Sequence, residues 1–483
     1  MPVTWRAMSP LLMLSAMRLA ALIRAREVTS TEVVEAHIAR ICRVNEKLNA
    51  MVKDRFAEAR DEARRADDSV RSGRDLPELH GVPCSIKECF ALAGMPNTGG
   101  HPGRRGVVST NDATAVARLR AAGAIPLGVT NLSELCMWME SSNGVYGRTN
   151  NPYDARRTAG GSSGGEGAIV GVGGAPFGLG SDVGGSIRMP AFFNGVFGHK
   201  PTGGLVPNSG QFPISENDAL LYLTTGPIAR RAEDLMPLLR ILAGPDGKDS
   251  RCSARSLGDP ARVSVAALDV IDVADNGRLR VEAGLAASQR SAARALGSLG
   301  ARVREMKLDR FRHSLEIWAA MLGDVEQTSF RTLMGNGAEF RAGREMARWA
   351  LGRSEHTFPA IALAMIESVT KLSPAHTRRF KELGKALREE IVELLGDDGV
   401  MLFPPYPTVA PRHGAPLFPP VKWMYTAVFN VLELPVTQVP LGLDKRGLPL
   451  GVQVVAAHGN DHLTIAVAME LEKIFGGWVP PRT

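Results

Sequence analysis

The stretch RTAGGSSGGEGAIVG, Arg157 to Gly171, sets two adjacent serines, Ser162 and Ser163, between two pairs of glycines. Three chemistries use such an arrangement: a phosphate cradle, a nucleophile on a sharp turn, or half of a catalytic device completed elsewhere in the chain. The cradle fails at its end. A Walker A loop needs Lys and then Ser or Thr, whereas Gly165 is followed by Glu166, whose carboxylate would repel a phosphate. The nucleophile elbow fits GxSxG in two registers, but it requires a buried strand directly before the serine. Here the polar, proline-containing NNPYDARRTA precedes it. That leaves an α/β-hydrolase-like esterase using Ser163, with Asp461 and His458 or His462 as partners, as an alternative.

The third reading looks outward from the serines. Downstream, GLGSDVGGSIRMPAFFNGVFGHKPT places Ser186 behind a glycine pair and Asp182. Glycines let the backbone turn so that consecutive N–H groups converge on one point, as an oxyanion hole demands. Upstream, Lys87 lies in the strand-like run GVPCSIKECF, between Ile86 and Glu88. A lysine there marks either a strand end reaching water or a desolvated amine able to act as a base. Glu88 would point to the opposite face of the strand.

Farther out, TSTEVVEAHIARICRVNEKLNAM opens with a capping box, Thr29 to Glu32, and places Val34, Ile38 and Ile41 on one helical face. ATAVARLRAAGAIPLGVTN predicts a helix, a stop at Gly123 and a buried strand over Ala124 to Val129. RVSVAALDV, an Ala/Arg-rich stretch and GARVREMKL predict a strand–helix–strand unit. GVMLFP, LPVTQVPLGL and LGVQVVAA read as strands before a helix from about Asp461 to Phe475, whose start in HGNDH falls to Asn460 or Asp461 as cap. This alternation predicts an α/β fold, a large mixed sheet covered by helices on both faces. The chain reads as one domain over 1–483, with a helical segment over about 1–27 packed on the body. A second helical segment, about 311–372, is rich in Trp, Met and Phe and is placed at a substrate entrance. GPDGKDSRCSARSLGDPAR reads as a surface loop.

The net charge of +7 comes from dispersed pairs such as Arg104-Arg105 and Arg230-Arg231, with no basic run and no interleaved aromatic platform. That pattern is a solvated surface and argues against nucleic acid. Five cysteines at irregular spacings, without a CxxC pair, argue against a zinc site or disulfide framework and for reduced thiols in a cytoplasmic protein. No HExxH occurs, and no segment is long and apolar enough to span a membrane. MSPLLMLSAMRLAALI carries Arg18 and lacks a basic leader, so it is not read as a signal peptide. An amphipathic contact with a membrane surface is the weaker alternative to packing on the body.

Lys87, GGSSGG and GSDVGGSIRMPA, in this order and with Lys87, Ser162 and Ser186 spaced by seventy-five and then twenty-four positions, resemble the amidase signature family. The resemblance runs from about Val28 to Trp478. Within the family, VPNSGQFP, NDHLTIAVA and EKIFGGWVPP are similar to the type 2 fatty-acid amide hydrolase branch. It implies the family fold and an amidase without metal or cofactor. Ser186 would be the nucleophile, Ser162 the bridging serine after a cis peptide bond, and Lys87 the base. The N–H groups of Val183, Gly184, Gly185 and Ser186 would form the oxyanion hole. Ser163 is read as a brace for the loop, and Asp182 and Arg188 as an ion pair or backbone brace. Cys136, Met137 and Trp138 in CMWME align with residues lining the acyl pocket of relatives, which implies a hydrophobic fatty-acyl or aryl amide as the small-molecule partner. A homodimer is implied by analogy with relatives. The rivals are the glutamine-hydrolysing component of a tRNA-dependent amidotransferase, against which the apolar CMWME argues, and a catalytically dead binding protein, against which the intact Lys87, Ser162 and Ser186 argue.

Overall fold

The computed structural model describes residues 9–325, 328–367 and 373–482. Its strands are β1 Met51–Asp54, β2 Pro83–Lys87, β3 Ile125–Thr130, β4 Ser142–Asn143, β5 Gly147–Arg148, β6 Phe177–Asp182, β7 Phe197–Lys200, β8 Thr224–Ala229, β9 Asp269–Asp272, β10 Arg302–Glu305, β11 Gly399–Phe403, β12 Val436–Leu443 and β13 Pro449–Ala456. β4 and β5 form a small hairpin. The other eleven make one sheet in the order β1-β3-β2-β6-β8-β7-β12-β13-β11-β9-β10. The sheet is mixed as expected: β2 is parallel to β3 and β6, β9 is parallel to β10 and β11, and the centre from β6 to β13 is antiparallel.

Burial on both faces follows from the residue types. β2 and β3 are buried throughout. Cys84 and Ile86 face a large apolar cluster shared with the helices Ala16–Arg24, Leu235–Leu242 and Asp461–Phe475. Ser85, on the alternate face of β2, donates to Glu166 in the helix Gly164–Gly171. That helix is buried along its whole length, and its small residues allow it. A side chain at Gly165 would run into the backbone of Asn131 and Ala50, and one at Gly167 into Pro190. Because β2, β3 and β6 are parallel, their carboxyl ends share one edge of the sheet, the usual place for a site in an open α/β sheet.

Most expected elements form where the pattern puts them. Thr29 and Glu32 make the capping box of the helix Ser30–Leu48, and Val34, Ile38 and Ile41 are buried. Gly123 adopts φ +90° between the helix Thr114–Ala121 and β3. The strand–helix–strand unit forms through β9, the helix Ala283–Ser298 and β10, but RVSVAALDV is extended only at its end. Its earlier part makes two short 3-10 turns, Pro260–Arg262 and Val265–Ala267, which leave only Asp269–Asp272 to pair with β10 and β11. The last helix starts at Asp461, yet neither Asn460 nor Asp461 caps it through its side chain. The Asp461 carboxylate instead accepts from Thr202 and pairs with His199.

The N-terminal helix Ala16–Arg24 packs on the body through Leu19, Ala20 and Ile23, and Asp234 accepts from the N–H groups of Ala16 and Met17 at its start. The segment from 311 onward forms the helices Ser314–Val325, Phe330–Gly335, Ala342–Ala350 and Phe358–Ile366. The end of that expected segment, 368–372, lies outside the described residues. Among the described residues no helix is long and apolar enough to cross a membrane.

Candidate active site

Lys87 closes β2 with no exposed surface. Its Nζ donates to Ser162 Oγ at 2.7 Å and to Ser181 Oγ at 2.9 Å. Of the two fates open to such a lysine, the strand end reaching water is therefore overturned. Glu88 faces the other way as the strand period requires, accepting from Thr98, Gly99 and Tyr146. Burial pushes its carboxyl up against those donors.

The Gly161–Ser162 peptide is cis. A side chain at Gly161 would overlap the backbone of Trp138 to Glu140, so glycine is required by this close approach. Ser141 holds the turn: its Oγ donates to the Ser162 carbonyl at 3.0 Å and accepts from Gly164 N–H at 2.8 Å. Ser163 braces rather than projects. Its N–H donates to the Ser186 carbonyl at 3.3 Å, and its Oγ donates to the Ser181 carbonyl at 3.3 Å. No strand runs into Ser162 or Ser163, and Asp461 is committed to His199 and Thr202, so the elbow reading loses both its strand and its acid.

Ser186 sits on the turn between β6 and the helix Arg188–Phe193. Asp182 shapes this turn by accepting from Gly185 N–H at 2.6 Å and Ile187 N–H at 3.0 Å. The Gly185 N–H assigned to the oxyanion hole is thus bonded to Asp182. Gly185 has φ +113°, and a side chain there would collide with Thr426. The fully buried Asp182–Arg188 pair closes at 3.0 Å, and Arg188 also donates to the Thr426 carbonyl, Gln453 Oε1 and Asn430 Oδ1. Burial pushes the Asp182 carboxyl up, but the Arg188 charge and hydrogen bonds, with the two N–H groups, outweigh it and hold the group well below the usual carboxylate range.

Glu166, unused by the cradle reading, accepts from Ser85 Oγ at 2.5 Å and Thr130 Oγ1 at 2.7 Å, and burial pushes its carboxyl up to about 7. Beside the turn opens a mainly apolar cavity whose wall includes Cys136, Met137, Val183, Phe212, Leu322 and Phe330. Leu322 and Phe330 come from the segment expected at the entrance. Trp138 does not line this cavity; it packs beside Met139, Phe193 and Tyr406, just past two left-handed residues, Leu135 and Cys136.

Several supporting residues carry no local signal. Ser181 lies inside the recognised motif, but its contact with Lys87 exists only after β2 and β6 pair. Trp318 donates to the Val183 carbonyl at 2.9 Å and meets Trp423 edge-on, joining the helical segment to the Ser186 turn. His101, Glu134 and His356 converge closely enough to suggest a cation. Both ring nitrogens of His101 are bonded, to Met334 and Gly103, and both Glu134 oxygens are held by His356 and Thr357. The trio fastens the start of the helix Phe358–Ile366 to the cavity wall.

The family described as Amidase matches residues 32–465. The chain is 47% identical to human (Homo sapiens) fatty-acid amide hydrolase 2, over 98% of this chain and 91% of that protein. It is 31% identical to a glutamyl-tRNA(Gln) amidotransferase component of Anaeromyxobacter sp. (strain K), over 94% of each chain. The solved structure of a bacterial aryl acylamidase of the amidase signature family superposes with a TM-score of 0.81 at 25% identity, covering 96% of this chain and 97% of that one. With Lys87, the paired serines and Ser186 set at one edge of the sheet, the chain belongs to the amidase signature family and is a hydrolase of amides, close in sequence to fatty-acid amide hydrolase 2.

Proposed function

We propose that this protein hydrolyses hydrophobic fatty-acyl or aryl amides through Lys87, Ser162 and Ser186 by way of an acyl-enzyme. The observation that carries the reading is the 2.7 Å contact of Lys87 Nζ with Ser162 Oγ between two buried side chains, with the adjacent Ser163 N–H bonded to the Ser186 carbonyl. A serine hydroxyl is a poor nucleophile until its proton has a destination. Lys87 takes the Ser162 proton as Ser162 takes that of Ser186, and Ser186 Oγ attacks the amide carbonyl. Converging backbone N–H groups of Val183, Gly184 and Ser186 meet the developing oxyanion, while Asp182 holds Gly185 so that the turn keeps its shape. The relay then runs back to protonate the leaving amine or ammonia, and water releases the carboxylic acid by the same route.

The apolar wall supports a long acyl or aromatic group over the polar side chain of glutamine. Activity is proposed to need neither metal nor cofactor, in a cytoplasmic protein that associates as a homodimer. The test is labelling with a long-chain alkyl fluorophosphonate followed by peptide mapping. Label on Ser186, lost in Ser186→Ala, is expected; label on Ser163, or faster hydrolysis of glutamine than of a fatty amide, would overturn the reading. Lys87→Ala should fold normally and lose roughly 10²–10⁴-fold in turnover, the range for a positioned general base.

A further inference from the structure

The peptide groups of the Ser186 turn are held one by one, each through its carbonyl. Asp182–Val183, Val183–Gly184 and Gly185–Ser186 are trans. In a planar trans peptide the C=O and the N–H point in opposite directions, so a donor that fixes the carbonyl also aims the N–H. Asn430 Nδ2 donates to the Asp182 carbonyl at 2.8 Å and Thr224 Oγ1 to the same oxygen at 3.2 Å, which aims the Val183 N–H. The Met189 N–H donates to the Gly185 carbonyl at 2.8 Å, which aims the Ser186 N–H. Trp318 Nε1 donates to the Val183 carbonyl at 2.9 Å, which aims the Gly184 N–H. These three N–H groups have no acceptor among the described residues, whereas those of Gly185 and Ile187 are taken by Asp182. Trp318 differs from the other holders in its origin. Asn430, Thr224 and Met189 are buried in the body of the protein. Trp318 is half-buried on the helix Ser314–Val325, and Leu322, one turn further along that helix, lines the cavity together with Val183. Its ring meets Trp423 edge-on with centroids 4.7 Å apart, and a side chain at Gly184 would touch Trp423 at 3.4 Å. The two indoles therefore pack against this turn.

We infer that Trp318 is a positioning residue for the amide hydrolysis proposed above: its indole N–H, by fixing the Val183 carbonyl, aims the Gly184 N–H at the developing oxyanion. The inference rests on the amidase reading and adds to it a residue 135 positions from the peptide it holds. Trp318 acts through that peptide and not on the substrate. An oxyanion donor counts fully only when the carbonyl oxygen carries charge, so the loss of its aim should lower kcat and spare KM. Removing such a donor outright costs about 10²–10³ in kcat, and misplacing it costs less. Trp318→Phe keeps an aromatic ring beside Trp423 but cannot donate. It should lower kcat on a decanoyl anilide roughly tenfold to a hundredfold, with KM within about twofold of wild type.

Two inhibitors of the full chain separate the aim of one N–H from a general disturbance. With a long-chain trifluoromethyl ketone, Ser186 Oγ adds to the carbonyl carbon and the carbonyl electron pair moves onto the oxygen, while the serine proton leaves through Ser162 to Lys87. The adduct carries the oxyanion. The corresponding trifluoromethyl alcohol has the same chain and no carbonyl. Trp318→Phe should weaken the ketone by the same factor by which kcat falls and leave the affinity for the alcohol unchanged. Replacing Trp318 by benzothienylalanine, which keeps the shape of indole with sulfur in place of the N–H, should give the same pattern, and it decides the matter if phenylalanine disturbs the fold. Wild-type kcat in the benzothienylalanine protein, or equal losses toward ketone and alcohol, would overturn the inference. The amidase reading fails separately: it falls if the wild-type enzyme neither cleaves the anilide nor is labelled on Ser186.

Discussion

Arg188→Met isolates what holds the Ser186 turn. The substitution keeps an unbranched side chain of similar reach but removes the guanidinium bonded to Asp182, Thr426, Gln453 and Asn430. Both members of the pair are without exposed surface, so the Asp182 carboxylate is left buried and without its counter-charge. Breaking a buried pair by removing one partner costs about 3–5 kcal/mol. Unfolding entropy of about 2.1 cal/mol/K per residue gives a 483-residue chain about 1 kcal/mol/K. The Tm at pH 8 should therefore fall by about 3–5 °C in differential scanning calorimetry. The pH dependence has a definite sign. In the wild type the Asp182 carboxyl is depressed in the folded state, so its contribution is present above an unfolded value of about 4 and is lost as pH falls toward the folded value. Without Arg188 the burial influence dominates and raises that carboxyl, so the variant regains stability as Asp182 takes up a proton. The deficit should narrow from pH 8 to pH 5. A Tm within about a degree of wild type at pH 8, or a deficit that widens on acidification, would refute the reasoning.

Three further outcomes follow from the same geometry. Ser141→Ala removes the hydroxyl joining the Ser162 carbonyl to Gly164 N–H and should lower kcat roughly tenfold or more on a hydrophobic amide while leaving KM nearly unchanged, measured by steady-state kinetics. Glu166 is raised to about 7 by burial, so ionising it costs stability as pH climbs from about 4.5 through 7. Glu166→Gln should remove the decline in stability between about pH 4.5 and 7, on the order of 3 kcal/mol once complete, in urea titrations at several pH values. Gly185→Ala drives a methyl group into Thr426 at a backbone angle that alanine resists, and should abolish fluorophosphonate labelling of Ser186 while far-ultraviolet circular dichroism stays native.

The sequence by itself determined most of the elements and singled out the candidate site residues. The capping box at Thr29, the stop at Gly123 and the apolar runs of β2, β3 and β11 to β13 act through neighbours a few residues away, so local pattern suffices to read them. Lys87, Ser162 and Ser186 were legible for another reason: glycine-flanked serines and a lysine in an apolar strand are too unfavourable to be incidental, and their order and spacing identify a family. The tertiary structure alone decided which way the side chains point and what they meet. Sheet pairing brought Ser181 to Lys87 and placed Ser85 and Thr130 around Glu166. It bonded the Gly185 N–H to Asp182, and it set Trp138 among Met139, Phe193 and Tyr406 while Met137 lines the cavity. RVSVAALDV yielded most of its extended form to 3-10 turns, since a strand at that place has only the partners that β10 and β11 leave it. Contacts of this kind join residues up to hundreds of positions apart, and their energies depend on burial and orientation, which no local pattern encodes.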